Sequence, residues 1–302
     1  MNKMLTPPPP PSVRGYIRKL FVRPLWALGH KCHFLKDNFL WRSIKPYYHL
    51  YVGLRDFSFV GDDAVSFYLR NAERVNAVAN ALADEKSKRI YLGLIKFRQT
   101  RSNRDFPFHA IGEEQYFFKE LKLGENEVFI DCGAFIGDTI DPFLRRCRKY
   151  RQIIAFEPDP VNFEKLKNKY GNNSKITLIN AGVHDKDGEI SFSGEGWWNS
   201  KIADGVQGGA ATSIPVRAID SVNPENVSFI KMDIEGAELK ALKGAEKTIL
   251  RDKPKLAICI YHGDEDMIGI AEYIHRLVPE YKLYVRHYGL VTETVLYAVM
   301  PY

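Results

Sequence analysis

Apolar residues recur along this chain with two different periods, and each change of period marks an element. Between residues 62 and 98, Val75, Val78, Ala79 and Leu82 return every third or fourth position, and Ile90, Leu94 and Phe97 do so again. That spacing predicts two amphipathic helices. Asp84 stands where a carboxylate can cap the second, and Lys96 and Arg98 fall at its far end, where cations suit the helix dipole. From Glu127 onward short apolar runs alternate with helical stripes, the pattern of an α/β fold with a parallel sheet covered by helices on both faces. Core strands are predicted over 128–130, 153–156, 176–179, 229–232 and 256–260. The helix after the first buries Ile140, Phe143, Leu144 and Cys147. The helix after the second starts from an Asp159 cap with Pro160 in its first position and turns Phe163, Leu166 and Tyr170 inward. Leu239, Leu242, Ala245 and Ile249 read as one helix after the fourth strand. Asp187-Gly188 announces a hairpin, so 189–192 and 213–216 form a β-hairpin insertion. The runs 281–285 and 295–299 close the sheet as a pair, and no internal repeat is present.

The head of the chain breaks this alternation. Five consecutive prolines between Thr6 and Ser12 make residues 1–15 polyproline-like or disordered. Over 16–59, Arg and Lys interleave with aromatics that include Trp26, Trp41, Tyr47 and Tyr48, which reads as an arm or cap on the core, with glycan or peripheral membrane-surface contact as the alternative. The stretch 99–107 is polar and irregular. A boundary near Ile111 therefore separates a basic, aromatic-rich and mainly helical N-terminal extension, 1–110, from an α/β domain, 111–302.

Composition narrows the class. A chain of 302 residues that is 45% hydrophobic can bury one substantial core. No run approaches the roughly 20 uninterrupted apolar residues of a spanning helix, and the short apolar pieces near the start are split by Arg23 and Pro24. A soluble, cytoplasmic protein is the expectation. Residues 1–60 carry ten Lys or Arg against two Asp or Glu, whereas the rest holds 33 basic and 35 acidic residues. A nearly neutral remainder argues against a dedicated nucleic-acid channel there. Cys32, Cys132, Cys147 and Cys259 match neither a zinc pattern nor a disulfide framework and read as reduced thiols, Cys132 as a small packing residue.

Three strings carry chemistry. The first strand runs into a turn that opens a helix, with Asp131, Gly133, Ala134, Gly137 and Thr139 in order. Its glycines let a ligand approach the backbone, but their spacing is Gly, three residues, Gly, and not the G-x-G-x-x-G run that cradles a pyrophosphate. A carboxylate at Asp131 repels a pyrophosphate and suits the amino and sulfonium groups of S-adenosylmethionine. Glu157 ends the second strand, where it can accept both ribose hydroxyls of an adenosyl group. NAD proteins use the same device, so Glu157 indicates an adenosyl ligand without naming it. The third string, 229–238, is an apolar strand that delivers Asp233 just beyond its end, on the ligand edge of an open α/β sheet. An acid there calls for a charged or hydroxyl partner. Lys231 and Glu238 read more plainly, one snorkelling from a strand edge and the other favouring a helix N-terminus.

Taken together, the turn over 128–139, the Phe156-Glu157-Pro158 strand end, the segment Asn180-Ala181-Gly182-Val183 with Asp187-Gly188 after it, and the string 230–238 resemble the FkbM family of methyltransferases, over about 128–262. The resemblance implies a class I, Rossmann-like methyltransferase fold with S-adenosylmethionine as donor. It also implies an acceptor hydroxyl on a sugar, glycan or other small natural product. By the same resemblance Asp131, Gly133 and Gly137, with Ala134 and Thr139 of the same turn, hold the methionine portion, Glu157 the ribose, and Asn180 and Gly182 lie by the adenine. Many relatives end the fifth strand with an acid before the histidine, whereas this chain reads Ile260-Tyr261-His262. That departure leaves any family metal or base assignment open. The strings 284–288 and 293–297 look like a subgroup of the same family, which implies no particular substrate.

His262 follows the fifth strand as Asp233 follows the fourth, so adjacent strands bring both to one acceptor. His262 is the candidate base, Asp233 its partner, and the two are also a candidate pair of ligands for a divalent metal. His287 is the weaker candidate. The N-terminal extension is expected to control acceptor access. Two other classes stay open, a methyltransferase fold that binds or scaffolds without catalysis and another adenosyl-cofactor enzyme; the acids at 131, 157 and 233 weigh against the first and Asp131 against an oxidoreductase.

Overall fold

Every residue of Val128–Cys132 is buried. Only a strand covered on both faces allows this, so the first strand belongs at the centre of a sheet. The computed structural model describes residues 63–101, 115–193, 201–202, 212–289 and 292–301. The proline run, the aromatic arm, Cys32 and the boundary near Ile111 lie outside them. Three helices come first, α1 (Ala64–Arg70), α2 (Ala72–Ala81) and α3 (Glu85–Thr100). Then follow β1 (Val128–Cys132), α4 (Ile140–Arg146), β2 (Gln152–Phe156), α5 (Pro160–Tyr170) and β3 (Ile176–Ile179). A small sheet is made from β4 (Gly182–Val183), β5 (Gly188–Ser193), β6 (Lys201–Ile202) and β7 (Thr212–Arg217), before the short α6 (Ile219–Val222). The chain returns through β8 (Phe229–Met232), α7 (Glu238–Lys243), α8 (Glu246–Asp252), β9 (Lys255–Cys259), α9 (Asp266–Leu277), β10 (Lys282–His287) and β11 (Thr294–Val299).

The seven-stranded sheet has the order β10-β11-β9-β8-β1-β2-β3. Strands β9, β8, β1, β2 and β3 run parallel, and β11 inserts antiparallel between β9 and β10. Strand order reverses at β1, which pairs with β2 on one side and β8 on the other. Such a switch point opens a crevice at the carboxyl ends of the strands, and the turns after β1 and β8 lie there. Alternation along β1 feeds two cores. Val128, Ile130 and Cys132 pack with α1 to α3 and α7 to α9, and Phe129 packs with α4 and α5 on the other face. Phe129 stacks between Phe143 and Phe229 with ring centroids 4.6 and 4.8 Å apart, each fully buried ring being worth about 1.5–3 kcal/mol. This is the class I methyltransferase sheet with helices on both faces.

Asp84 caps α3 as expected, accepting the Ser87 amide at 2.6 Å. It also pairs with the buried guanidinium of Arg286 at 2.7 Å. Arg98, expected merely to suit the helix dipole, is instead buried and ion-paired with Asp264 at 2.9 Å in the loop after β9. Helices α1 to α3 thus share one core with the sheet.

Two expectations need correction. The apolar stripe from Leu239 to Ile249 is two helices, α7 and α8, broken at Gly244-Ala245. The backbone of the β4–β5 turn presses in at the break, where a Cβ on Gly244 would sit 2.1 Å from the His184 carbonyl oxygen. Asp187-Gly188 closes no two-residue hairpin, because β7 lies between β4 and β5 in the small sheet. Asp187 instead accepts the Ala218 amide at 2.8 Å and pairs with Arg217 at 2.9 Å. The insertion itself forms, with β5 antiparallel to β7. Among the described residues no helix is long and apolar enough to cross a membrane.

Candidate active site

The turn after β1 requires glycine at two positions. Gly133 has φ +79° and Gly137 φ +87°, conformations that cost an L side chain roughly 1–2 kcal/mol. A Cβ on Gly133 would meet the Asp233 carbonyl oxygen at 2.1 Å, and one on Gly137 the Tyr170 ring at 2.3 Å. The turns after β1 and β8 therefore touch backbone to backbone at the switch point. The Gly133 and Ala134 amides bond the Phe156 carbonyl at 3.0 and 2.9 Å. Thr139, buried, is the residue before α4.

Asp131 is fully buried beneath the turn, and Lys231, its register partner on β8, lies 3.1 Å away. Burial pushes the Asp131 carboxyl up to about 6 against the pull of Lys231, so the carboxylate stays charged at neutral pH. Lys231 does not snorkel to solvent as its strand-edge reading expects. Its ammonium donates to the Gly133 carbonyl at 2.8 Å and lies 5.2 Å above the Tyr116 ring. Burial disfavours that charge, but Asp131, Asp233 and Asp138 outweigh it and hold the proton on. Burial also keeps the Cys132 thiol protonated, which accords with a packing role.

Glu157 ends β2 and folds back over the turn. Its carboxylate accepts the Phe135 amide at 2.8 Å and the Asp159 amide at 2.9 Å, one on each oxygen. Burial pushes it up to about 7, partly offset by those amides. Asn180 ties the ends of β2 and β3 together by donating to the Glu157 carbonyl at 2.8 Å, and Gly182 begins β4 next to Val216. A carboxylate offers about four acceptor positions, so Glu157 keeps capacity for ribose hydroxyls. The turn beside it, 133–139, is tied to it through the Phe135 amide. The residues present fit S-adenosylmethionine.

Asp233 has the hydroxyl partners that its position called for. Tyr116 donates to it at 2.7 Å and Tyr261 at 3.3 Å. His262 does converge on it, with Nε2 3.5 Å from Oδ1. Two further acids surround the ring, Glu238 at 3.1 Å from Nδ1 and Glu235 at 3.6 Å from Nε2. Burial would lower the imidazole, but Glu238, Asp233 and Glu235 together push it up to about 9. The ring therefore does not titrate near neutrality as an unperturbed histidine would. Burial raises the Asp233 carboxyl, and Lys231 and His262 more than reverse that, leaving it below its ordinary value. His287 stands apart, fully buried, with Nδ1 2.8 Å from the Thr294 hydroxyl.

The sequence reading missed Tyr116, Tyr261 and Glu293, and it took Glu238 only as an acid favouring a helix N-terminus. Glu238 does open α7, and it also faces His262. Tyr261 adjoins His262. Tyr116 reaches Asp233 across 117 positions, and Glu293 enters through a hydrogen bond from Gln115; no local pattern announces either.

A family model described as the methyltransferase FkbM domain matches residues 131–289, just over half of the chain. The 2-O-methyltransferase NoeI of Sinorhizobium fredii is 24% identical over 147 residues, 42% of this chain and 60% of that protein. The crystal structure of methyltransferase FkbM from Methylobacillus flagellatus KT is 28% identical with a TM-score of 0.68, over 80% of this chain and 62% of that one. This chain thus spans about three fifths of the length of either relative. The glycine turn, Glu157, Asp233 and His262 all fall inside the family match. With the switch-point geometry and the sheet order, that match makes the chain a member of the FkbM family of S-adenosylmethionine-dependent methyltransferases.

Proposed function

We propose that this methyltransferase acts on a hydroxyl oxygen of a sugar, a glycan or another small hydroxylated natural product. The observation that carries the reading is the meeting of Asp233 and His262, 3.5 Å apart, at the sheet edge beside the glycine turn. Asp233 already receives two tyrosine hydroxyls, so an acceptor hydroxyl finds a partner of the same chemistry. The activity of the NoeI relative, a 2-O-methyltransferase, agrees with it. The cleft gathers Asp233, Glu235 and Glu238, and its nearby cation Lys231 is buried and paired. That charge balance disfavours a phosphodiester backbone and suits a neutral acceptor.

When bound, S-adenosylmethionine supplies a methyl group made electrophilic by its sulfonium. Gly133 and Gly137 shape the turn beside it, Glu157 would receive the ribose, and Asn180 and Gly182 would border the adenine. Asp233 and His262 hold the acceptor oxygen in line with the methyl carbon, and the Asp233 carboxylate, kept charged by Lys231 and His262, relays the hydroxyl proton to solvent as the new O–C bond forms and the C–S bond breaks. Lys231 and Asp131 neutralise each other beneath the turn and keep its shape. The test is incubation with S-adenosylmethionine and a panel of mono- and oligosaccharides and phenolic or polyketide alcohols, with the methylated atom located by NMR. Methyl groups found only on nitrogen or carbon would refute the assignment.

A further inference from the structure

Asp233, Glu238 and His262 come from three places, the end of β8, the first residue of α7 and the loop after β9, and they meet at one point. One ligating atom of each lies within 4.8 Å of the other two. His262 keeps only 10% of its side chain exposed and Glu238 none. The ring lies among acids, with Nδ1 3.1 Å from Glu238 Oε1 and Nε2 3.5 Å from Asp233, while Glu238 Oε2 is buried without a hydrogen-bond partner. The other oxygen, Oε1, is anchored by the Ile234 amide at 2.8 Å, which holds the carboxylate in place. Buried polar atoms in folded chains are nearly always bonded. A fully buried carboxylate oxygen without a partner, gathered with one imidazole nitrogen and a second carboxylate on side chains fixed by backbone and packing, marks the place of a missing partner.

We propose that Asp233, Glu238 and His262 bind a divalent first-row transition ion, such as Mn2+ or Zn2+, within the active site. The proposal rests on the methyltransferase reading of this sheet edge and names the cation that works there. One imidazole nitrogen with two carboxylate oxygens suits such ions, whereas Mg2+ and Ca2+ favour oxygen-only sets. Three protein ligands leave at least one position open, as in catalytic sites. The opening faces the Asp233 and Glu235 side, because those carboxylates are 24% and 62% exposed. An acceptor hydroxyl bound there becomes more acidic. Its oxygen bonds to the methyl carbon as the C–S bond breaks and the sulfonium becomes a neutral thioether. The hydroxyl proton leaves to solvent past Glu235, and the ion keeps its oxidation state. His262 then serves as a ligand and not as a free base.

The test uses the full chain stripped with EDTA and titrated with Mn2+ alone, followed by electron paramagnetic resonance. One Mn2+ per chain, displaced by Zn2+ and weakened by about tenfold or more in both Glu238→Gln and Asp233→Asn, supports the site; even a supporting partner is worth about 10- to 100-fold in metal affinity. Glu238→Gln keeps an acceptor for the Ile234 amide, so the fold is expected to survive. No stoichiometric uptake, or uptake unchanged in both variants, overturns it. If the variants do not fold, Zn2+ added to wild-type protein decides through the His262 ring resonances: movement supports the site, and none overturns it. Calorimetry with S-adenosylmethionine on the same sample separates the two readings. A chain that binds the cofactor and no ion loses this site alone, and one that binds the ion but no cofactor keeps it and loses the methyltransferase reading.

Discussion

At the scale of single residues, Glu157 and His262 owe their properties to burial among charges and not to their own chemistry. Glu157 sits between two loop amides and is pushed up to about 7 by burial. Removing it takes away the proposed ribose acceptor and the acceptor of the Phe135 and Asp159 amides. Glu157→Ala is expected to weaken S-adenosylmethionine binding by about 1.5–3 kcal/mol, the range for hydrogen bonds to a charged group. Calorimetry checks this, and an affinity within twofold of wild type contradicts the role. His262 follows β9, on the other side of β1 from Glu157. His262→Ala is expected to leave cofactor affinity nearly intact and to lower turnover by roughly 10² to 10⁴, whether the ring holds an ion or moves a proton. Near-wild-type turnover at saturating acceptor would exclude both. Asp131, Glu157 and Asp233 could be named from their places at strand ends. Their charge states could not, since Lys231 and His262 come to them through pairing between strands.

At the scale of elements, the period of the apolar residues sufficed for nearly every helix and strand, because burial on one stripe or on both faces is written directly into spacing. It failed where backbone meets backbone. The split of α7 from α8 at Gly244 and the insertion of β7 between β4 and β5 leave no trace in periodicity. The same close approach makes a test at Gly133. Gly133→Ala drives a methyl group into the Asp233 carbonyl at a left-handed φ, so it is expected to destabilise the fold by more than about 1–2 kcal/mol and to impair cofactor binding. Unchanged melting and binding would show that the two turns can part. Helix α3 offers a pH test. Burial raises the Asp84 carboxyl, but Arg286 and Ser87 outweigh it and leave it below its ordinary 3.8. A lowered folded value means that its stabilisation is present above about pH 4 and is lost as acid protonates it. Asp84→Asn should therefore lower stability near neutrality and flatten the fall in stability between about pH 4 and pH 2. Parallel acid-denaturation curves would contradict this.

At the scale of the whole molecule, the N-terminal helices and the active site are joined through the loop after β9. Arg98 of α3 donates to the Tyr261 carbonyl and pairs with Asp264, and Tyr68 of α1 donates to the same Asp264 carboxylate at 2.8 Å. Those contacts flank His262. Leu82 also bridges to Leu283 on β10, and Asp84 holds Arg286. A chain beginning at Arg104 is therefore expected to expose the apolar face that α1 to α3 cover and to take both Asp84 and Ser87 away from Arg286. Circular dichroism should show an aggregated or unfolded product. A folded truncation with native melting would show that the extension is dispensable for the core.

By itself the sequence determined the α/β class, the strand that carries each acid, the glycine turn and the family, because these follow from local spacing and from the residue types that a strand end requires. Only the tertiary structure decided which charges neutralise one another. Asp131 with Lys231, Asp84 with Arg286, Arg98 with Asp264 and the ring of acids around His262 join residues far apart in the chain. Their energies depend on burial and on distances of a few ångströms, quantities that exist only once the sheet has brought the strand ends side by side.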